Sequence, residues 1–322
     1  MIRAGIIGAA GYTGGELIRL LVNHPETEIA FANSKSNAGN RIADVHEGLE
    51  GDLDLRFTGE LPFEEADVLF LCLGHGKSAE FLTNNNIPED MKIIDLAQDF
   101  RLEADGNDFV YGLPEINRER IKKAKHVANP GCFATCIQLG LLPAAKMGMI
   151  TKDVSVNAIT GSTGAGQKPT STSHFSWRND NISIYKAFGH QHLHEIRQSL
   201  RQVQGFLEAS IDFIPYRGCF ARGIFATEVV RTEKPISEIV DGYKAFYSDA
   251  PFTHYSERAI DLKEVVGTNK CLIHCDLHED KLLITSVIDN LLKGAVGQAV
   301  ENMNIMFGLD ETMGLKLKAT AF

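Results

Sequence analysis

Short apolar runs alternate with amphipathic segments over the first 130 residues. Apolar residues recur at helical spacing over Glu16–Asn23 and again over Ser78–Asn84. Short continuous apolar runs between such segments are typical of strands that are buried on both faces. The runs that predict strands are Ala4–Ile7, Ile29–Ala32, Asp67–Leu73, Lys92–Leu96 and Lys125–Ala128. Because parallel strands are joined by helices that cover both faces, the pattern predicts an α/β fold with a Rossmann-like doubly wound parallel sheet.

The pattern changes after residue 130, where the apolar segments become longer and alternate with polar residues. An apolar helix is predicted over Phe133–Met147, and a hairpin turn is predicted through 278–280. The alternating segments are Val154–Ile159, Ala209–Ile214, Ile224–Arg231, Cys271–Leu277 and Lys281–Val287. They indicate a mixed or antiparallel sheet in an α+β domain. We predict a first domain of residues 1–130 plus 290–322, with a last helix over Leu292–Phe307, and a second domain of residues 131–289.

The composition is that of a soluble globular protein with two domains of ordinary size: 322 residues, 44% hydrophobic and 23% charged. The net charge of -10 argues against general nucleic-acid binding and against binding to an anionic membrane surface. No apolar stretch approaches the roughly 18 residues of a membrane span. Five glycines interrupt the apolar N-terminus, which favours a strand, turn and helix over a signal peptide. We expect a cytoplasmic protein with neither nucleic acid nor membrane as a partner.

The segment Asn129-Pro130-Gly131-Cys132 places a thiol where a strand ends and a helix begins. The unpaired backbone N–H groups and the positive end of the helix dipole at such a position favour the thiolate, the reactive form of cysteine. A buried structural cysteine near a turn is the alternative. No pair of cysteines in the chain has the C-x-x-C pattern of zinc sites or redox disulfides. The motifs described next favour a nucleophile at Cys132.

A glycine-rich turn follows the first predicted strand and opens the first predicted helix. Its backbone N–H groups can hold a pyrophosphate at the helix N-terminus, and a tight turn without a ligand is the alternative. The residues expected to contact the cofactor here are Gly8, Gly11, Tyr12, Thr13 and Gly14. After the second strand the chain reads Ser34-Lys35-Ser36, where a cofactor with a free ribose 2′-OH would meet an acidic residue. Two hydroxyls and a cation predict NADP(H), held by Ser34 and Ser36.

A second glycine-rich loop, Gly161–Gly166, follows the strand predicted over Val154–Ile159. Its three glycines are interleaved with hydroxyl side chains, which suits close approach to a ligand. A flexible surface turn is the alternative. We expect Ser162, Gly164 and Gly166 to contact the cofactor.

Three histidines at alternate positions, His190, His192 and His194, precede a helix predicted to begin at Glu195. No carboxylate or cysteine cluster accompanies them, so we expect no metal site. A histidine paired with the Cys132 thiolate could lower the pKa of the thiol and protonate a developing oxyanion. A structural role for His194 is the default.

Two arginines, Arg217 and Arg222, lie in a turn between two predicted strands. Most arginines in such turns are solvated or paired at the surface. In an acidic protein with an anionic substrate, however, a planar guanidinium is the group that fixes a carboxylate or a phosphate. These arginines are therefore candidates for binding the substrate.

In their order along the chain, these motifs resemble those of the N-acetyl-γ-glutamyl-phosphate reductase family. The resemblance covers the whole chain and rests on Gly8–Leu17, Asn129–Cys132, Gly164–Gly166, Gly189–His192 with Glu195–Ile196, Arg222–Ile224 and Asp289–Ala295. Aspartate-semialdehyde dehydrogenase shares the architecture and the thiolate chemistry and is the alternative enzyme. The GYTG opening and the His-x-His pair look like the glutamyl-phosphate branch.

The resemblance implies an oxidoreductase of arginine biosynthesis with a small-molecule acyl phosphate substrate. Cys132 would attack the acyl phosphate, release inorganic phosphate and form a thioester that NADPH reduces to the semialdehyde. His190 is implied as the acid/base group and His192 as a substrate-binding neighbour, with their order left open. Asn290 is implied as a cofactor contact. The other residues implied to bind the substrate are Arg222, Tyr185 and Glu195. Family members of this kind are homo-oligomers, so a dimer or tetramer is expected.

The chain departs from the family pattern at three positions. Gln191 and Gln167 stand where the family commonly has a cation, and His194 stands where it commonly has proline. Fewer cations near the site would suit a different acyl group, succinyl in place of acetyl, unless Lys168 compensates. The acyl group therefore stays open between acetyl and succinyl, whereas the reaction class is the same for both.

Overall fold

Two β-sheets organise the chain. The computed structural model describes residues 1–320. Its strands, in chain order, are β1 (Ile2–Ile7), β2 (Thr27–Asn33), β3 (Val68–Leu71), β4 (Lys92–Asp95), β5 (Val110–Tyr111), β6 (His126–Ala128), β7 (Val154–Thr160), β8 (Ser183–Ile184), β9 (Ile211–Arg217), β10 (Ile224–Arg231), β11 (Thr253–Tyr255), β12 (Cys271–His278) and β13 (Lys281–Ile288). The α-helices are α1 (Tyr12–Leu21), α2 (Lys77–Asn84), α3 (Pro114–Lys123), α4 (Cys132–Lys146), α5 (Phe175–Arg178), α6 (His192–Gln204), α7 (Ile236–Phe246) and α8 (Gly297–Met306). None of these helices is both long and apolar enough to cross a membrane.

The chain divides into two units, each with its own sheet. The first comprises Met1–Pro130 and Ala295–Lys316, and the second comprises Gly131–Gly294 with the segment that begins at Leu317. Residues 290–294 thus group with the second unit, whereas the sequence prediction placed them in the first domain. The chain passes from the first unit to the second between Pro130 and Gly131, the residue before Cys132.

The sheet of the first unit contains six parallel strands in the order β2-β1-β3-β4-β6-β5. Strand β3 is buried along its whole length, as the continuous apolar run predicts. Helix α8 returns to this unit and packs against α1 and α3. The strand order reverses between β1 and β3, so the turn after β1 lies at the switch point where such folds bind nucleotides. The predicted Rossmann-like sheet is confirmed.

The sheet of the second unit contains seven strands in the order β11-β12-β13-β10-β7-β9-β8. The pairs β11–β12 and β7–β9 are parallel, and the other neighbours are antiparallel. Helix α4 packs against β10 and β13, and all of its residues from Phe133 to Ala145 are buried. The predicted mixed sheet is confirmed. Cys132 is the first residue of α4, so the packing of α4 on this sheet sets its position.

A buried carboxyl group lies in the core of the second unit. Glu228 in β10 is fully buried, and neither of its carboxyl oxygens has a hydrogen-bond partner in another described residue. A Cβ atom added at Gly140 of α4 would lie 2.8 Å from Glu228 Oε2, so the helix backbone closes over the carboxyl. Burial raises the pKa of Glu228 well above its ordinary value of 4.5, so the folded protein keeps the group protonated.

We expect the Glu228→Gln variant to unfold at higher urea concentration than the wild type above pH 6. A carboxyl whose pKa is raised in the folded state costs no stability below its unfolded pKa. As pH rises above that value, the cost grows by about 1.4 kcal/mol per unit until the folded pKa is reached. The free energies of unfolding should therefore nearly coincide at pH 4.5 and separate progressively at pH 6 and pH 8. Glu233→Gln, at an exposed position just beyond the same strand, is the control. A difference that does not change with pH would contradict the assignment.

Candidate active site

Cys132 is the first residue of α4. Gly131 before it is the N-cap in an extended conformation (φ −71°, ψ 150°) and places no side chain on the N–H groups of the first turn. Cys132 is partly exposed, in contrast to the thirteen buried residues that follow it in α4. The first turn of a helix of this length favours a negatively charged group. The position thus stabilises a thiolate that a substrate can reach.

The other cysteines do not combine exposure to solvent with a position at a helix N-terminus. Burial raises the pKa of Cys72 to about 12 and that of Cys275 to about 12, and it raises the pKa of Cys136 well above its usual range. Cys271 is buried and Cys219, although exposed, lies in a turn between strands. Because only a thiolate is an effective nucleophile, Cys132 is the best candidate among the cysteines.

A π-helical turn accommodates Cys132. Sequence periodicity predicts one helix over Leu292–Phe307, but the structure has a π-helical turn at Leu292–Val296 followed by α8. The Gly294 N–H donates to the Asp289 carbonyl over 2.9 Å, and a Cβ added at Gly294 would lie 2.9 Å from Cys132 Cβ. π-Helical turns are frequent at functional sites. Glycine at 294 therefore leaves the space that the Cys132 side chain occupies.

We expect Gly294→Ala to lower kcat by about 100-fold, since the added methyl group would displace Cys132, and a shift of 1 Å at a reacting group has an effect of this order. The alkylation rate of Cys132 by iodoacetamide should change in parallel, which links the loss to the thiol. Gly48→Ala is the control, because a Cβ there meets nothing within 4 Å. Wild-type turnover by the Gly294→Ala variant would contradict this packing argument.

His190 and His192 lie together beside the start of α4. Both are buried, and their ring centroids are 4.5 Å apart. The His192 backbone N–H donates to His190 Nδ1 over 3.2 Å, so the neutral ring of His190 carries its proton on Nε2. The His190 ring packs edge-on against Phe133, the neighbour of Cys132, with centroids 5.5 Å apart. His194, in contrast, is exposed. The geometry makes His190 Nε2 a proton donor near the start of α4.

Glu195 connects α6 to the turn before the cysteine. It is buried, and its Oε2 accepts a hydrogen bond from the Gly131 N–H over 2.9 Å, while Oε1 lies 4.0 Å from His192 Nε2. These contacts orient the turn that carries Cys132 and the imidazole of His192. The substrate contact predicted for Glu195 stays a prediction.

The Tyr185 ring lies near both His190 and Phe133. Its ring centroid is 5.8 Å from that of His190 and 6.5 Å from that of Phe133. Burial first, and then a negative charge at Cys132, raise the pKa of Tyr185. The phenol therefore stays protonated and can donate a hydrogen bond near the sulfur. Tyr185, His190, His192, Glu195 and Cys132 form the candidate active site of the second unit.

Arg222 is held by a buried carboxylate. Its Nε and Nη2 donate to the two oxygens of Asp289 over 3.0 and 3.1 Å, and Asp289 also accepts from the Gly267 N–H over 2.8 Å. The Asp289 side chain is fully buried, whereas that of Arg222 is 23% exposed. This bidentate pair joins the turn before β10 to the residue that follows β13. The predicted role of Arg222 in substrate binding stays a prediction. A substrate bound by Arg222 would meet a guanidinium whose Nε and Nη2 already donate to Asp289.

The second glycine loop is tied to the same region. Asn290 accepts from the Gly223 N–H over 2.7 Å and donates to Thr163 Oγ1 over 3.1 Å. The Ser162 N–H donates to the Phe220 carbonyl over 2.8 Å. The loop is therefore an ordered part of the second unit. A Cβ at Gly164 would make only ordinary contacts and one at Gly166 none within 4 Å, so both positions leave room for the predicted cofactor contacts.

The glycine-rich turn of the first unit has the geometry of a pyrophosphate cradle. Gly8 has φ +79°, and a Cβ there would lie 2.6 Å from the Cys72 carbonyl oxygen. Gly11 is the N-cap of α1 without a side-chain cap, and a Cβ there would approach nothing closer than 3.7 Å. A Cβ at Gly14 would lie 2.5 Å from the Ala9 carbonyl oxygen, so Gly14 allows the helix to approach the turn. Tyr12 and Thr13 are the first two residues of α1. Their N–H groups have no partner within the helix, because the first turn of any helix lacks one, so they are suited to bind an anion.

Hydroxyl groups occupy the end of β2. Ser34 Oγ and Ser36 Oγ are 3.5 Å apart, and Asn37 Nδ2 lies 3.4 Å and 3.1 Å from them. Lys35 begins the short 3₁₀ turn that follows β2. The carboxyl end of β2 thus presents donors and a cation, the groups that suit a 2′-phosphate. Within residues 1–320, no group of three or more His, Cys, Asp or Glu side chains has the arrangement of a metal site.

Comparison with known proteins agrees with this architecture. Two family models match the chain: the semialdehyde dehydrogenase NAD binding domain over residues 3–124 and the semialdehyde dehydrogenase dimerisation domain over residues 132–290. The crystal structure of aspartate semialdehyde dehydrogenase II complexed with ASA from Vibrio cholerae has a TM-score of 0.71 at 15% identity, covering 96% of this chain and 98% of that chain. Aspartate semialdehyde dehydrogenase with NADP from Candida albicans has a TM-score of 0.70 at 17% identity, covering 95% and 98%. The fold is that of the semialdehyde dehydrogenases.

Curated relatives narrow the class. Proteins named N-acetyl-gamma-glutamyl-phosphate reductase are 67% identical in Bacteroides thetaiotaomicron and 53% identical in Christiangramia forsetii, each over 322 residues that cover both chains completely. The protein of the same name from Flavobacterium johnsoniae is 53% identical over 326 residues. The chain belongs to the N-acetyl-gamma-glutamyl-phosphate reductase family.

Proposed function

We propose that this chain catalyses the NADPH-dependent reductive dephosphorylation of N-acetyl-γ-glutamyl phosphate to N-acetylglutamate 5-semialdehyde, with release of inorganic phosphate. The observation that carries the proposal is the partly exposed Cys132 at the N-terminus of α4, beside His190 and Tyr185. The names and full-length identity of the relatives support the same reaction. The N-succinyl substrate is the second candidate, on the glutamines at 167 and 191.

Cys132 performs the first half of the reaction. Its thiolate attacks the acyl carbon, and the bond from that carbon to the phosphate oxygen breaks, with the electron pair leaving on phosphate. The product is a thioester on Cys132. Covalent capture divides one difficult reduction into two easier steps. The first turn of α4 stabilises the thiolate before attack and again when it leaves.

His190 and Tyr185 act in the second half. The thioester carbon would accept a hydride, which is the chemistry that NADPH would supply when bound. Negative charge then develops on the former carbonyl oxygen, and the His190 Nε2–H donates a hydrogen bond to it. The protonated phenol of Tyr185 is a second donor. Collapse of the tetrahedral adduct breaks the carbon–sulfur bond, releases the aldehyde and returns the thiolate. Glu195 holds the turn that carries Cys132 by accepting a hydrogen bond from the Gly131 N–H.

The residues present fit NADP(H). The open cradle at Gly11 and the N-terminus of α1 suit the pyrophosphate, and Ser34 and Ser36 suit the 2′-phosphate. We assign the first unit, Met1–Pro130 with Ala295–Lys316, to NADP binding and Gly131–Gly294 to catalysis. Ser162, Gly164, Gly166 and Asn290 are proposed as further cofactor contacts. His192 and Arg222 are assigned to the substrate. A homo-oligomer, dimer or tetramer, is supported by the match to a dimerisation domain, and a cytoplasmic location is part of the same proposal.

An assay in the direction of semialdehyde oxidation tests the function. The purified protein is incubated with NADP⁺, inorganic phosphate and one of three aldehydes: N-acetylglutamate 5-semialdehyde, its N-succinyl analogue or aspartate semialdehyde. Phosphate-dependent formation of NADPH with an N-acylglutamate semialdehyde is the expected result. The comparison of the acetyl and succinyl substrates by kcat/KM decides between the two acyl groups. Faster turnover of aspartate semialdehyde would overturn the proposal.

We expect the double variant Lys35→Ala, Ser36→Ala to raise KM for NADPH by about tenfold or more, because hydrogen bonds to a charged phosphate are each worth about 1.5–3 kcal/mol. KM for NADH, which lacks the 2′-phosphate, should stay within about twofold of the wild-type value. Initial rates at several concentrations of each cofactor give both constants. Equal effects on the two cofactors would contradict recognition of the 2′-phosphate at this turn.

A further inference from the structure

Two arginines, Arg178 and Arg217, lie next to the candidate active site. Arg178 is the last residue of the short helix α5 and is 8% exposed. Its Nη1 donates to the Gly218 carbonyl over 3.3 Å, but its buried Nε has no hydrogen-bond partner. Within residues 1–320, no carboxylate lies within 4.0 Å of its guanidinium. A buried guanidinium with one neutral acceptor is far from satisfied.

Arg217 brings a second guanidinium to the same place. It ends β9, and its Cζ lies 4.1 Å from the ring centroid of Tyr185, the neighbour of His190 in the active site. Arg217 also has no carboxylate within ion-pair distance in the described part of the chain. Burial and the nearby charge of Arg217 lower the pKa of Arg178, which marks two like charges close together. Arg178 also bonds the carbonyl of Gly218, the residue that follows Arg217. Since like charges repel, an anion bound beside both guanidinium groups would relieve this repulsion.

We propose that Arg178 and Arg217 form an anion subsite that binds an oxyanion group of the substrate, a carboxylate or the phosphate. The proposal rests on the function proposed above and adds the residues that hold the charge of the substrate. Arg222, assigned above to the substrate, already donates to Asp289 through two atoms, so further donors are needed to hold the charge of the substrate. A planar guanidinium matches either anion through two parallel hydrogen bonds, and the buried Nε–H of Arg178 is a donor without an acceptor among the described residues.

Kinetics of the Arg178→Gln and Arg217→Gln variants test the subsite. We expect the KM of the bound anion to rise by about ten- to a hundredfold, with a smaller change in kcat, because the lost bonds are made to a charged group. Arg178→Lys keeps the positive charge but loses the planar guanidinium with its paired donors, so an intermediate rise in KM is expected. Arg201→Gln, at an exposed position in α6, is the control. Thermal unfolding of each variant separates loss of binding from loss of folding.

The choice of substrate distinguishes the sources of the anion. A rise confined to KM for phosphate assigns the subsite to the phosphate. An equal rise for the N-acetyl and N-succinyl semialdehydes assigns it to the α-carboxylate that they share. A rise only for the N-succinyl semialdehyde assigns it to the carboxylate of the acyl chain. Unchanged KM values in all three measurements, with the variants folded, would overturn the proposal. A changed oligomeric state without a KM change would also overturn it, since the arginines would then belong to an interface.

A binding readout keeps this proposal separate from the proposed function. Phosphate, N-acetylglutamate and N-succinylglutamate are each tested for protecting Cys132 of the full chain against iodoacetamide. Protection of the wild type that is lost in Arg178→Gln supports the subsite even if no semialdehyde is turned over. Protection that is equal in both proteins contradicts the subsite even if the wild-type enzyme is active.

Discussion

Cys132→Ser is expected to reduce phosphate-dependent semialdehyde oxidation by about 10⁴-fold or more, the scale of loss when the nucleophile of a covalent mechanism is removed. A serine hydroxyl at the start of α4 stays protonated at neutral pH, because the helix N-terminus cannot lower its pKa far enough to form an alkoxide. The expected losses are in kcat and in kcat/KM alike. NADPH formation measures both, and fluorescence titration should give a nearly unchanged dissociation constant for NADPH.

Cys219→Ser is the matched control for the nucleophile. Cys219 is an exposed thiol that lies in a turn, so its replacement should leave turnover near the wild-type rate. Mass spectrometry of the wild type quenched during turnover should locate an acyl adduct on the peptide that contains Cys132. Substantial turnover by Cys132→Ser, or an adduct elsewhere, would contradict the thioester mechanism.

His190→Asn is expected to lower kcat by about 10²- to 10⁴-fold, the usual contribution of general acid–base catalysis. Asparagine can keep an acceptor near the position of Nδ1, and so the hydrogen bond from the His192 N–H. The substitution removes the Nε2–H, which we propose donates a hydrogen bond to the developing oxyanion. His190→Gln, which returns an amide N–H near the Nε2 position, should recover part of the rate but not the pH dependence of kcat.

His194→Asn is the control for the imidazole, since His194 is exposed on the same helix. His192→Asn tests which of the two histidines is the acid/base group, a question that the sequence left open. If His190 is the acid/base group, His192→Asn should affect KM for the semialdehyde more than kcat. A larger loss of kcat in His192→Asn than in His190→Asn would reverse the assignment.

Local signals in the chain were sufficient for the main elements of both sheets. The predicted runs at β1, β3 and β4 are mostly apolar because both faces of these strands are covered, and residues 4–7, 68–71 and 93–95 are buried. Strands β5, β8 and β11 were not predicted, since two or three residues carry no periodicity. Helices α3 and α7 were also not predicted, because few of their residues are buried.

The sequence by itself determined that a thiol begins a helix at Cys132, that glycines open α1 and that hydroxyls follow β2. Each of these features depends on residues that are neighbours in the chain, so spacing alone reveals it. Only the tertiary structure decided that Glu195 orients Gly131, that Asp289 engages Arg222 and that Gly294 makes room for Cys132. The tertiary structure also shows that Arg178 is buried and that its Nε–H has no partner among the described residues, which the sequence does not indicate. Packing brings such partners together across 64 or more residues of chain, and no periodicity in the sequence records a contact of that kind.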